Sequence, residues 1–103
     1  VAVVSLSGKR VKSAMSGSYS VSKFAALGLV HAIRHAAWDD GIRATAICPS
    51  FVATDMAFGL TDLDPKVMTQ PEDVARLVSV ALDLPNTAGV SEIPINFVPE
   101  GNL

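Results

Sequence analysis

A single cysteine, Cys48, cannot close a disulfide within the chain, and no apolar run reaches the roughly 20 residues of a membrane-spanning helix. Charge of either sign is also scarce. Eight Lys and Arg stand against ten Asp and Glu, a formal net charge of -2 with 17% of residues charged. That balance excludes the basic field of a nucleic-acid binder and the charge excess of a disordered segment. No two of the glycines at 8, 17, 28, 41, 59, 89 and 101 are separated by one residue, so a GxGxxG dinucleotide loop is impossible. Ser18 lies outside any GxSxG, which removes the nucleophile elbow of a hydrolase. The first residues carry no charged leader or cleavage signature and no initiator methionine, so the sequence reads as starting within a domain, with a preceding segment missing. A soluble, cytoplasmic protein is expected.

What is present is apolar. Half of the 103 residues are hydrophobic, enough for one small domain with a core and no dividing linker. Val1, Ala2, Val3 and Val4 form a continuous apolar run, as expected of a parallel strand covered on both faces. A loop over 5–18 comes next. From 18 to 39, Phe24, Leu27, Val30, Ile33 and Ala37 recur at helical spacing, widened by Leu29 and Ala36, which predicts a long, deeply buried helix ending at Gly41. A second buried strand is expected over 42–48, stopped by Pro49. Pro, Gly, Asp and Thr scattered through 50–69 predict a mobile, lid-like loop with one short helix. Thr69, with Pro71, Glu72 and Asp73 after it, reads as the cap of a helix whose apolar face is Val74, Leu77, Val78 and Ala81. Ile93, Ile95 and Phe97 alternate with Pro94, Asn96 and Val98 as a last strand. The order strand, helix, strand, helix, strand, with crossovers long enough for parallel neighbours, makes the fold class α/β.

Tyr19 and Lys23 are four apart at the start of the long helix, so both side chains leave the same face and address one ligand. An ammonium near a phenol favours its ionised form, which is what an acid/base pair working near neutral pH requires. Upstream, Ser5 and Ser7 stand at the end of an apolar strand, where open α/β sheets build their sites. Ser5 is fourteen positions before Tyr19 and Ser7 twelve, so spacing alone leaves both open.

With this arrangement the chain resembles the short-chain dehydrogenase/reductases. Their pattern is a strand ending in serine, about a dozen residues, then Tyr, three residues and Lys, here YSVSK from Tyr19 to Lys23. Ser5, Leu6, Ser7 and Gly8 match the family's serine, two residues, glycine, which favours Ser5 over Ser7 as the active-site serine. ICPSFVATDM, from Ile47 to Met56, resembles the family segment that contacts nicotinamide, although Ser50 stands where the family usually has glycine. GIRATAICPS and QPEDVARLV match its next strand and helix, so the likeness covers nearly the whole chain.

The resemblance implies that 1–103 is the C-terminal catalytic part of one doubly wound, Rossmann-like domain whose N-terminal dinucleotide-binding part, with the family's asparagine, lies before Val1. It implies an enzyme transferring hydride between NAD or NADP and a carbonyl or secondary alcohol. Ser5, Tyr19 and Lys23 would be catalytic, and Tyr19, Lys23, Pro49, Ser50, Val52 and Thr54 would bind cofactor. It also implies a homodimer or homotetramer. A different class remains beside it, a non-catalytic fragment that packs on a partner through its long helix.

His31 and His35 have metal-helix spacing, but Ala32 occupies the place of the base in HExxH and no third ligand is evident, so no metal is expected. Cys48 before Pro49 reads as an apolar filler. Lys9, Arg10 and Lys12 read as a solvated basic patch.

Overall fold

Parallel strands cannot be joined by a tight turn, and the computed structural model, which describes residues 1–100, uses one helical crossover for each step. Three short strands, β1 (Ala2–Val3), β2 (Ala46–Pro49) and β3 (Glu92–Ile95), form one parallel sheet in that order. Ala2 pairs with Ala46, Ala46 with Glu92 and Pro49 with Ile95. Between β1 and β2 runs α1 (Gly17–Ala37); between β2 and β3 come a one-turn helix α2 (Asp55–Phe58) and then α3 (Pro71–Asp83).

Alternation along β2 assigns its two faces. Ala46 and Cys48 join Val4, Leu6 and Val30 in the core under α1, with Ala26 and Leu27 packed against it. Ile47 points to the other face and is also fully buried, on the strand that α3 meets. This burial is what is expected of the second strand, and enclosure on both faces is the usual state of a central parallel strand.

Several expectations are corrected. Val3 is 56% exposed, so β1 is covered on one face only. The long helix is present, but its inward line is Ser20, Leu27 and Val30, while Phe24, Leu29 and Ile33 face outward. The apolar stripe is therefore only partly used, and the helix is not deeply buried. The loop over 5–18 contains two short helical turns, Leu6–Gly8 and Ala14–Ser16. Thr69 does not cap α3. Its backbone accepts from Ala53 N–H at 2.9 Å and donates to Phe51 at 3.2 Å, and Gln70 takes the capping position. β3 ends before Phe97, whose ring instead meets Phe51 edge to face, centroids 6.0 Å apart.

The corner between α1 and β2 is held by Arg43. Its guanidinium stacks on Trp38 at 3.4 Å and donates to the Trp38 and Asn86 carbonyls, both at 2.9 Å. Gly41 makes the corner possible with φ of 79°, a left-handed conformation that a Cβ penalises. Gly41→Ala is expected to lower stability by about 1–2 kcal/mol, read as a drop in the urea midpoint at constant m; an unchanged midpoint would show the strain to be absent.

Candidate active site

The ends of β1 and β2 lie side by side because the strands are parallel neighbours, and the segments leaving those two ends form the site. After β1 the chain turns through Leu6–Gly8, and Ser5 caps that turn: its Oγ accepts from the Ser7 N–H at 3.0 Å. The contact occupies an oxygen lone pair and leaves the hydroxyl proton free to donate elsewhere. Gly8 is what seats the turn on α1. A Cβ there would lie 2.8 Å from the Lys23 carbonyl oxygen, so only glycine lets the two backbones approach so closely. The glycine three positions after Ser5 thus brings the serine turn onto the helix segment that carries the lysine.

Tyr19 and Lys23 stand in the first turns of α1. The phenol side chain is 37% exposed, and the Lys23 ammonium lies 5.4 Å from the centre of its ring. This is a cation over an aromatic face, with both groups directed to one region of space. The helix is held there by Ser20, fully buried, whose hydroxyl donates to the Arg10 carbonyl at 3.5 Å.

β2 ends at Pro49, buried, and Ser50 follows, its N–H donating to Ile95 at 3.0 Å. Ser50 Oγ donates to Glu100 Oε2 at 2.9 Å, so the side chain standing in place of a glycine has its own acceptor. Val52 is bridged to Thr69 in parallel fashion. Phe51 and Ala53 supply the hydrogen bonds to Thr69, so the Val52 N–H and carbonyl between them face the opposite side. The Thr54 hydroxyl donates to that carbonyl at 3.3 Å, and the Val52 N–H remains as a backbone donor beside an exposed threonine. A peptide edge of this kind fits the amide of a nicotinamide ring. Nothing comparable fits the adenosine end, since the sequence has no glycine pair for a dinucleotide loop. The site residues fall into two groups, Ser5, Tyr19 and Lys23 around α1, and Pro49, Ser50, Val52 and Thr54 behind β2.

Charged groups that sequence reasoning set aside are organised here. Glu92, at the start of β3, receives the Lys9 ammonium on Oε1 and lies 2.6 Å from His31 Nε2 through Oε2. Arg34 Nη1 is 3.2 Å from His31 Nδ1 and has only protons to offer. Nδ1 is therefore assigned as acceptor, and Nε2 as the nitrogen that donates to Glu92. A second carboxylate, Glu100, takes Arg10 at 3.0 Å with both side chains 13% exposed. Lys9 and Arg10 are thus partnered rather than part of a solvated patch. One signal was available in the sequence, a lone acid, Glu92, opening an otherwise apolar strand; its partners lie too far along the chain for spacing to identify.

Hydrogen bonding to Lys9 holds the Glu92 carboxyl below its usual range, helped by His31 and opposed by burial. Burial pushes the Cys48 thiol up, and its Sγ sits fully buried on the α1 face of β2, which suits a core filler and not a nucleophile.

The chain is similar to known proteins in both sequence and fold. Residues 1–63 match the family described as short chain dehydrogenase. Over 97% of its length the chain is 42% identical to agropine synthesis reductase of Rhizobium rhizogenes, of which it spans 23%. It is 34% identical to the human dehydrogenase/reductase SDR family member 11, with 86% of this chain and 39% of that protein aligned. Among solved structures, a betaketoacyl-[ACP] reductase from Bacteroides thetaiotaomicron superposes with a TM-score of 0.75 at 32% identity, over 91% of this chain and 39% of that one. An alcohol dehydrogenase from Thermococcus sibiricus complexed with 5-hydroxy-NADP superposes at 0.77 with 26% identity, over 95% and 41%. The chain therefore spans well under half the length of each of these proteins.

Glu92 also sets an acid limit. A carboxyl whose folded pKa is depressed stabilises the fold above its unfolded value and loses that contribution as pH falls through the folded one. Lowering the pH from about 6 to about 3.5 is therefore expected to cost the wild type more stability than Glu92→Gln, as measured by urea unfolding at each pH. Equal losses in the two proteins would contradict the assignment.

Proposed function

Because the chain belongs to the short-chain dehydrogenase family, we propose that the protein is an oxidoreductase moving hydride between NAD or NADP and a small carbonyl or secondary-alcohol substrate. Residues 1–103 are then the C-terminal, proton-transferring part of one doubly wound domain. The observation that carries this reading is the Tyr19 and Lys23 pair in the first turns of α1, with the Ser5 turn seated by Gly8 on the Lys23 backbone.

In the reducing direction Tyr19 gives its hydroxyl proton to the substrate oxygen, and Ser5 donates its free O–H to the same oxygen. Lys23 places a positive charge beside the phenol, which favours the charge left when the proton departs, and it holds the ribose hydroxyls. Pro49, Ser50, the Val52 backbone and Thr54 would hold the nicotinamide, which when bound would supply the hydride or, in the reverse direction, accept it. Support for that cofactor class comes from the 5-hydroxy-NADP bound to the alcohol dehydrogenase that this chain resembles. The segment over 50–69, tied at its base by Thr69, is the substrate-facing lid.

A second reading has its own observation. Leu29 and Ile33, four apart, form an exposed apolar patch on one side of α1, with Phe24 exposed on another, the kind of surface through which helices pair. In the enzyme it is where subunits of a homodimer or homotetramer meet; alone, it would make this chain an interaction module without catalysis.

In the protein that carries this chain, Tyr19→Phe is expected to reduce NADPH-dependent turnover of a panel of simple ketones and aldehydes by at least about 100-fold. Binding of NADPH, monitored by nicotinamide fluorescence, is expected to persist. Undiminished turnover would refute the role of Tyr19, and absence of nicotinamide binding by the unmodified protein would favour the interaction module.

A further inference from the structure

We infer that Glu92 is a positioning residue for the active-site serine, acting through Lys9. The inference rests on the proposed role of Ser5. Lys9 is the residue that closes the serine turn: its N–H donates to the Leu6 carbonyl at 2.9 Å, one residue past the Gly8 N–H, which donates to Ser5 at 3.1 Å. Its ammonium is bonded to a carboxylate 83 positions later in the chain.

Glu92 reaches it from the far side of the sheet. Glu92 pairs with Ala46 and so shares the face of Ala46, the face covered by α1. From there its two oxygens divide their work, Oε1 to Lys9 at the exit of the turn and Oε2 to His31 in the middle of α1. One carboxylate therefore binds both the element carrying the serine and the helix carrying Tyr19 and Lys23.

Three contacts fix the turn. Val4 N–H donates to Ile47 at 2.7 Å and anchors its entry to the sheet, Gly8 rests on the Lys23 backbone, and Lys9 anchors its exit to Glu92. The first two constrain the backbone before and inside the turn. The third fixes the last residue of the turn, and the chain after it is held at Arg10, by Glu100 and the Ser20 hydroxyl, before 11–15 continue as an exposed loop to α1. An ion pair between fully exposed side chains contributes little. This one is different, because the lysine and glutamate side chains retain 24% and 21% of their exposure and the carboxylate keeps its charge through Lys9 and His31. Losing Glu92 leaves the partly buried Lys9 ammonium without its counterpart, while losing Lys9 leaves Glu92 only His31.

A residue that merely strengthens the whole fold would slow the exchange of every protected amide together, whereas a latch on the turn acts locally. Amide hydrogen exchange by NMR on this chain separates the two. In Glu92→Gln the Ser7, Gly8 and Lys9 amides are expected to exchange about tenfold faster, with the Val4 and Ala46 amides changed by less than about twofold. Lys9→Met leaves Glu92 its histidine and is expected to give the same local acceleration, and the double variant little more than either single one. Uniform acceleration of all these amides, or no acceleration in the turn, would overturn the inference. In the protein that carries this chain, Glu92→Gln is further expected to lower kcat for NADPH-dependent ketone reduction about tenfold with KM nearly unchanged. Should Ser5→Ala leave turnover intact, the reading of Ser5 fails while the exchange result still decides the role of Glu92.

Discussion

Ala46, Ile47 and Cys48 have no surface left to water, and this burial of β2 on both faces is the constraint on which the other placements depend. A strand enclosed by α1 on one side, with Ile47 equally enclosed on the other, must have its hydrogen-bonding edges filled as well. β1 and β3 fill them, and only in parallel, because each is reached through a helical crossover. Parallel pairing then aligns the strand ends. The serine turn and the segment from Pro49 to Thr54 become neighbours, and α1 packs on the serine turn.

Charge is the second organising element, and it works against the cost of burial. Two carboxylates from the last part of the chain reach back to the loop after β1, Glu92 to Lys9 and Glu100 to Arg10. Each takes a further partner from another element, His31 of α1 in the first case and Ser50 after β2 in the second. Ser50 is instructive, since a hydroxymethyl group replaces hydrogen at a tight position and Glu100 gives it a defined direction. No buried side-chain nitrogen or oxygen is left without a partner among the described residues.

The sequence is legible where local pattern and tertiary role coincide. The buried strand before Pro49, the proline at its end, Gly41 at the end of the helical region and the four-residue spacing of Tyr19 and Lys23 on one helix all point to what is found, because each depends on a residue's own geometry or immediate neighbours. It is less legible where the partner is remote. Phe24 and Ile33 have the period expected for burial yet are exposed, as is Leu29 at the edge of the stripe, since period gives a stripe but not the part of it that meets the sheet. Thr69 has the chemistry of a cap but is recruited into pairing with 51–53, a competition decided by the return of a distant strand-like segment. Lys9 and His31 read as surface because nothing near them in sequence shows Glu92. Gly8 lies between these cases: its place after Ser5 is visible in sequence, while its reason, the Lys23 carbonyl against it, is not.

The pair of hydrogen bonds at Thr69 has a consequence for how such a protein diversifies. Because Phe51 and Ala53 grip Thr69, the chain between 53 and 69 leaves and returns at one fixed point, anchored by the buried Ala57 and Met68, while its middle over 58–64 is largely exposed. The entropic cost of lengthening a closed loop is small, about 0.6 kcal/mol for each doubling. Insertions, deletions and wholesale replacement there are thus cheap for folding. Mutation can explore new shapes over the strand ends while Tyr19 and Lys23, carried on a separate helix, stay where they are, so that novelty and chemistry evolve on independent parts of the chain.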